Sequence, residues 1–140
     1  MTKVNFVLLG LVFFCIRVSA VKPPEAVLKA FGEKYSTAEK IRWSKENTHE
    51  YEAEFMIKGV NYSANFSDTR LWLETESALT FDSLPEKVQK SFNDTHKNTV
   101  IKAISKIETS RGSIKYEIEV KKGGRTIELF YTLDGTATHE

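Results

Sequence analysis

Twice along this chain, apolar residues spaced four apart give way to apolar residues spaced two apart. Val27, Phe31 and Tyr35 share one helical face, and Val88, Phe92 and His96 share another. Pro24 and Pro85 suit a first helical turn, where a missing N–H costs nothing, and Ser83-Leu84-Pro85-Glu86 has the spacing of a capping box. After the first helix the period becomes two: Tyr51, Ala53, Phe55 and Ile57 alternate with Glu50, Glu52, Glu54 and Met56. Val60, Tyr62, Ala64 and Phe66 then alternate with Asn61, Ser63 and Asn65. These are two strands with one dry face, joined by a turn at Lys58-Gly59. The same design follows the second helix: Ile114, Tyr116, Ile118 and Val120, a turn at Gly123-Gly124, then Ile127, Leu129, Tyr131 and Leu133. Segments 40–45, 71–75 and 100–108 are apolar enough to add strands on either side. The pattern predicts an α+β fold, built twice from one helix and three or four antiparallel strands.

The recurrence extends to residue identity. Pro24-Glu25-Ala26-Val27-Leu28-Lys29-Ala30-Phe31 matches Pro85-Glu86-Lys87-Val88-Gln89-Lys90-Ser91-Phe92 at five of eight positions, 61 residues on. Tyr51-Glu52-Ala53-Glu54-Phe55 matches Tyr116-Glu117-Ile118-Glu119-Val120, and Gly59 matches Gly124, at an offset of 65. Two blocks in one order indicate two tandem repeats, residues 21–82 and 83–140. One-sided alternation expects each helix to cover the dry face of its strands. Pairing edge to edge would make one continuous sheet with both helices on one face, which also hides vulnerable strand edges.

Ahead of the repeats, Lys3 is followed by a mostly apolar run over residues 4–16 and by Arg17-Val18-Ser19-Ala20. Residues 1–20 read as a signal peptide cleaved near Ala20, because the run is shorter than the roughly 20 residues of a membrane span and a small-residue cleavage site follows at once. The expected location is periplasmic or secreted, with no membrane insertion after cleavage. The one cysteine, Cys15, lies in that leader, so the exported part has no disulfide and no thiol chemistry. A hydrophobic content of 41% is that of a packed protein. Losing Lys3 and Arg17 takes the formal charge from +1 to −1, which offers nothing to nucleic acid or an anionic membrane.

With these features in place, the exported part resembles the PepSY-like, beta-lactamase-inhibitor-like (BLIP-like) proteins exported by Bacteroidetes-type bacteria. The residues that carry the resemblance are Val27-x3-Phe31-x3-Tyr35, Ile41-x-Trp43, Tyr51-Glu52-Ala53-Glu54-Phe55, and Asp134-Gly135 after the last strand. The resemblance implies a tandem α+β fold, a periplasmic or outer-surface location, and a non-enzymic binding or inhibitory role. Ile104 stands where the second copy would repeat Trp43, and Asp68-Thr69 where the first would carry Asp-Gly. The beta-lactamase inhibitor that lends the family its name is larger and disulfide-bonded, so inhibition of a beta-lactamase is not carried over.

Chemistry-bearing patterns are few. His49, His96 and His139 lack the spacing of a metal site, and no nucleophile elbow, phosphate loop or dinucleotide fingerprint occurs. No enzyme activity, metal or cofactor is expected. Asn61, Asn65 and Asn93 begin Asn-x-Ser/Thr sequons, incidental in a bacterial protein. Glu50, Glu52 and Glu54, with Glu117 and Glu119, could form an acid pair or calcium site; alternating glutamates on a wet strand more often face lysine, and Lys58, Lys115, Lys121 and Lys122 are near in sequence. Trp72, Met56 and Phe130 are large apolar residues on the polar phase of their strands, the composition of a contact surface. A bulge that turns Trp72 inward is the competing reading. The expected partner-binding set is Trp72, Met56, Phe130, Glu52, Glu54, Glu117 and Glu119. The expected function is an exported protein-binding module, with inhibition as one form of it, whose partner is another exported or cell-envelope protein. A periplasmic small-ligand or cation-binding protein is the alternative.

Overall fold

A computed structural model describes residues 21–139. The expected leader, its cleavage point and Cys15 lie outside those residues. Helix α1 (Glu25–Lys34) precedes strands β1 (Glu39–Lys45), β2 (Glu50–Ile57), β3 (Val60–Ser67) and β4 (Trp72–Ala78). A 3-10 turn over Phe81–Ser83 leads into α2 (Glu86–Thr95), β5 (Val100–Thr109), β6 (Ile114–Lys122), β7 (Arg125–Tyr131) and β8 (Ala137–Thr138). All eight strands form one antiparallel sheet in the order β1-β2-β3-β4-β5-β6-β7-β8. Every neighbour in the sheet is a neighbour in sequence, so the fold is α+β with mostly short-range strand connections.

Both helices begin directly after a proline and end alike. The Tyr35 N–H donates to the Phe31 carbonyl, and the His96 N–H to the Phe92 carbonyl, each at 2.8 Å. The capping box expected at Ser83 does not form. Pro85 is the residue that caps α2, and Ser83 belongs to the preceding 3-10 turn, where its hydroxyl meets Thr80 Oγ1 at 2.7 Å.

Each helix inserts two fully or nearly fully buried side chains, one turn apart. Val27 and Phe31 pack on Ala53, Phe55, Ala64 and Phe66; Val88 and Phe92 pack on Ile104, Tyr116, Ile118 and Val120. The first core is aromatic: the Phe31 ring meets Phe55 edge-on at 5.0 Å between centroids and Trp43 at 5.1 Å. The second is aliphatic at the matching places. Strand register joins the two: Tyr62 of the first core lies opposite Ser77, Ser77 opposite Lys106, and Lys106 opposite Tyr116 of the second. Both helices therefore cover one face of the sheet. Between the cores that face carries a polar strip of Thr75, Ser77, Lys106 and Glu108.

The two hairpins turn through pairs of residues with positive φ, Lys58 at 50° and Gly59 at 80°, then Gly123 at 57° and Gly124 at 79°. Such pairs match the right-handed twist of the strands they connect. Leu133 does not continue β7 as expected. It sits beyond the strand, 61% exposed, in the turn that leads to β8. The two-residue β8, with Ala137 opposite Tyr131, was not signalled by the alternation.

Candidate functional site

The face away from the helices carries the other phase of every strand. Arg42 and Ser44 of β1 lie there, with Glu50, Glu52, Glu54 and Met56 of β2 and Asn61, Ser63 and Asn65 of β3. Beyond them come Glu74, Glu76 and Ala78 of β4, Ala103 and Ser105 of β5, Lys115, Glu117 and Glu119 of β6, and Glu128 and Phe130 of β7. Nine glutamates, with Glu39 opposite Met56 among them, thus share a face with Arg42, Lys115 and Lys121, in a chain whose whole formal charge is +1.

Two of those glutamates are buried, Glu52 at 7% exposure and Glu117 at 4%. Each accepts a hydrogen bond from a serine on the preceding strand: Ser44 Oγ donates to Glu52 Oε2 at 3.2 Å, and Ser105 Oγ to Glu117 Oε2 at 3.0 Å. Glu52 Oε1 is also buried and has no hydrogen-bond partner among the described residues. Burial, followed by the like charges of Glu46 and Glu54, pushes the Glu52 carboxyl up to about 7, against the opposing hydrogen bonds from Ser44 and Ser63. Glu119 is also raised, first by burial and then by Glu128 directly opposite it on β7. Glu54 pairs with the Arg42 guanidinium at 2.7 Å. Of the lysines expected near this row, Lys58 is in the hairpin turn, and Lys115 Nζ donates to the carbonyl oxygen of His139 at 2.8 Å.

The three apolar anchors expected on this face behave differently from one another. Met56 is there, half-buried, opposite Asn61. Phe130 is also there, opposite Glu117, but only 7% of it is exposed and Thr138 of β8 lies beside it. Trp72 is on the other face. The β3–β4 register shifts between Asn65 and Phe66, so that Asn65 faces Glu74 while Phe66 faces Trp72. The extra residue, Leu73, is a bulge that rotates Trp72 by half a period onto the aromatic core. There its indole N–H donates to Thr75 Oγ1 at 2.8 Å, Thr75 also meets the Tyr35 hydroxyl, and Lys34 Nζ stands 3.7 Å from the ring centre. Burial raises the Tyr35 hydroxyl above its ordinary value.

In the middle of the open face the side chains are short. Ser63, Ala78, Ala103 and Ser105 floor a hollow of about 70 Å³, with Glu76, Glu117 and Glu119 among its walls. Sequence reasoning did not single out Ser44, Ser105, Arg42, Glu76 or Ala103. A usable signal existed for the two serines, because Ser44 and Ser105 stand 61 apart, the offset that relates the helices.

Catalytic groups do not converge here. Ser44 and Ser105 donate to carboxylates, while His49 sits in the β1–β2 connection 2.9 Å from Asp68, and His96 stacks on Phe92 at the end of α2. Among the described residues, no group of three or more His, Cys, Asp or Glu side chains is arranged to hold a metal ion, and no helix is long and apolar enough to cross a membrane.

The family model described as "Putative beta-lactamase-inhibitor-like, PepSY-like" matches residues 49–139. Solved structures with similar folds come from Bacteroides. A DUF2874 family protein from Bacteroides ovatus is 24% identical with a TM-score of 0.77, over 85% of this chain and 86% of that one. One of the "putative periplasmic proteins" of Bacteroides eggerthii is 21% identical with a TM-score of 0.79, over 85% and 88%. A BLIP-like protein from Bacteroides fragilis is 22% identical with a TM-score of 0.74, over 86% of both chains. No functionally curated protein matches the sequence.

Proposed function

Since this chain belongs to the PepSY-like, beta-lactamase-inhibitor-like family, we propose that it is an exported, non-enzymic module that binds another protein through the open face of its sheet. The carrying observation is the asymmetry of that sheet: two helices cover one face, and no element of the described chain covers the other, which nonetheless holds buried carboxyls and the half-buried Met56. Carboxyls held in place at low exposure are costly unless something gains from them, and a binding partner is what gains from them on an uncovered sheet. Export is supported by the leader-like residues 1–20 and by the periplasmic wording attached to the Bacteroides eggerthii relative. Glu52, Glu54, Glu117, Glu119 and Met56 remain in the proposed contact set. Trp72 supports the fold behind it.

The tandem reading of residues 21–82 and 83–140 belongs to the same proposal. It is supported by helices of ten residues each, by paired positive-φ turns, and by one serine-held, buried glutamate in each half. The test is a crosslinking pull-down from the host's periplasm and medium with the exported chain, its Asn65→Arg form and its Lys29→Glu form. Asn65 lies on the open face and Lys29 on the outer side of α1. A partner held by the parent and by Lys29→Glu but lost by Asn65→Arg is the expected result. Equal capture by all three rejects the open face.

A further inference from the structure

The formal charge of +1 conceals a local excess at one end of the sheet. The β6–β7 hairpin tip carries Lys121, Lys122 and Arg125 around Gly123-Gly124, and every residue from Lys121 to Ile127 is exposed. Two further exposed lysines lie at the same end, because Val100, where β5 begins, stands opposite Lys121. They are Lys97, in the connection from α2, and Lys102, the extra residue of a β5 bulge between Ile101 and Ala103. We infer that this end of the sheet rests on an anionic lipid surface, with its five cations among the headgroups and with Val100 and Ile127 reaching below them.

The ion pairs among the described residues are made by Lys29, Arg42, His49, Lys90 and Lys106, and none of the five cations takes part in them. Lys122 and Arg125 face each other directly across the hairpin, an arrangement of like charges that destabilises the isolated chain and that anionic headgroups relieve. On the open face, carboxylates begin two ladder steps below Lys121, where Glu119 faces Glu128. Asp94, near the end of α2, is held by Lys90 at 2.6 Å. Apolar residues flank the charge on both sides of the sheet: Val100 on the open face is 62% exposed, and Ile127 on the helix face 38%. Cations alone would serve a soluble polyanion, whereas β-branched side chains left in water beside them suit a headgroup layer that overlies hydrocarbon. The first half has no such tip, since Lys58 is the single cation of β2, its turn and β3. Each lysine or arginine close to an anionic bilayer adds roughly fivefold to affinity, so five suffice for reversible attachment. Attachment by a strand end leaves the open face clear for its protein partner.

The experiment is co-sedimentation of the exported chain with vesicles of phosphatidylcholine containing phosphatidylglycerol and with vesicles of phosphatidylcholine alone. Binding to the first kind only, weakening as salt rises, is the expected result. Lys121→Gln/Lys122→Gln should weaken it about 25-fold, and Val100→Ser/Ile127→Ser severalfold, while Lys29→Gln on the outer side of α1 leaves it unchanged. Thermal melts matching the parent's show that each variant is folded. Equal sedimentation with both kinds of vesicle, none with either, or equal losses in Lys29→Gln and in the tip variant would each overturn the inference. Displacement by inorganic polyphosphate, with Val100→Ser/Ile127→Ser binding like the parent, would overturn it in favour of a soluble polyanion. In the pull-down, Lys121→Gln/Lys122→Gln should capture the protein partner as well as the parent does, which tests this surface apart from the open face. Loss of that capture would assign the tip to the protein partner and remove the membrane.

Discussion

Gly135 lies so close to Lys87 that a β-carbon on it would stand 2.5 Å from the Lys87 carbonyl oxygen. The turn after β7 is thereby pressed directly onto the first turn of α2, and Asp134 Oδ1 holds it by accepting from the Thr136 N–H at 3.1 Å. With a φ of +83°, the residue is also one that side chains rarely adopt. Gly135→Ala should cost about 3 kcal/mol, combining left-handed strain with displacement of helix backbone. Gly112→Ala, at a φ of +79° but with open space around it, should cost only about 1 kcal/mol. Urea unfolding of the two variants compares them; equal losses would mean that Gly135 is a turn glycine and no more.

Glu52 makes stability depend on pH. Its folded value of about 7 lies above its ordinary 4.5, so the folded chain holds that proton more tightly than the unfolded chain. The associated stability is present below about pH 4.5 and is lost as pH rises through about 7. Glu52→Gln should raise stability near pH 8 by about 1–3 kcal/mol and flatten the profile between those limits. Glu119 contributes in the same direction, so some slope should survive the substitution. Thermal melts across that range decide it, and an unchanged profile would show that the carboxyl is solvated.

Trp72 should behave as a core residue. Its ring backs the first aromatic cluster, and its indole N–H bonds Thr75, which is itself 6% exposed. Trp72→Ala should lose about 2–3 kcal/mol, and Trp72→Phe, which keeps a ring but drops the donor, about 1 kcal/mol. Chemical denaturation provides both values. A fully stable Trp72→Ala chain would return the residue to the surface and undo the bulge.

Lys58 occupies a left-handed position that its hairpin counterpart fills with Gly123. Lys58→Gly should therefore gain about 0.5 kcal/mol, the relief of strain exceeding the added freedom of the unfolded chain. A loss on calorimetry would mean that the lysine side chain stabilises the turn in another way.

How far the sequence foretold this molecule depends on which signal each residue carried. Val27, Phe31, Val88 and Phe92 announced two helices because a turn of helix returns to one face, and the glutamate rows announced an open face because a strand alternates. The failures came where one residue changes the count. Leu73 adds a step to β4, and nothing in Leu71-Trp72-Leu73-Glu74 distinguishes a strand with a bulge from one without it. Phe130 kept its predicted face and lost its exposure: it lies between Glu117 and Thr138, the latter on a two-residue strand too short to show an alternation in the sequence. Ser83 had the spacing of a cap but stood before a proline that starts the helix itself. The hollow was invisible for a different reason: Ser63, Ala78, Ala103 and Ser105 come from three strands, and their shared smallness appears only once register aligns them.

The polar strip between the two cores gives the sheet a line along which it can bend. Thr75, Ser77, Lys106 and Glu108 lie under the junction of β4 and β5, where five residue pairs from Glu74–Thr109 to Ala78–Ser105 make the ladder. Neither apolar cluster includes a residue of the other. Each half is stiffened by its own interlocked side chains, whereas the junction is held by main-chain hydrogen bonds, which tolerate changes of twist better than close-packed rings tolerate sliding. The hollow straddles that junction. A partner pressing on it would change the curvature of the sheet before disturbing either core, as a page bends at its fold.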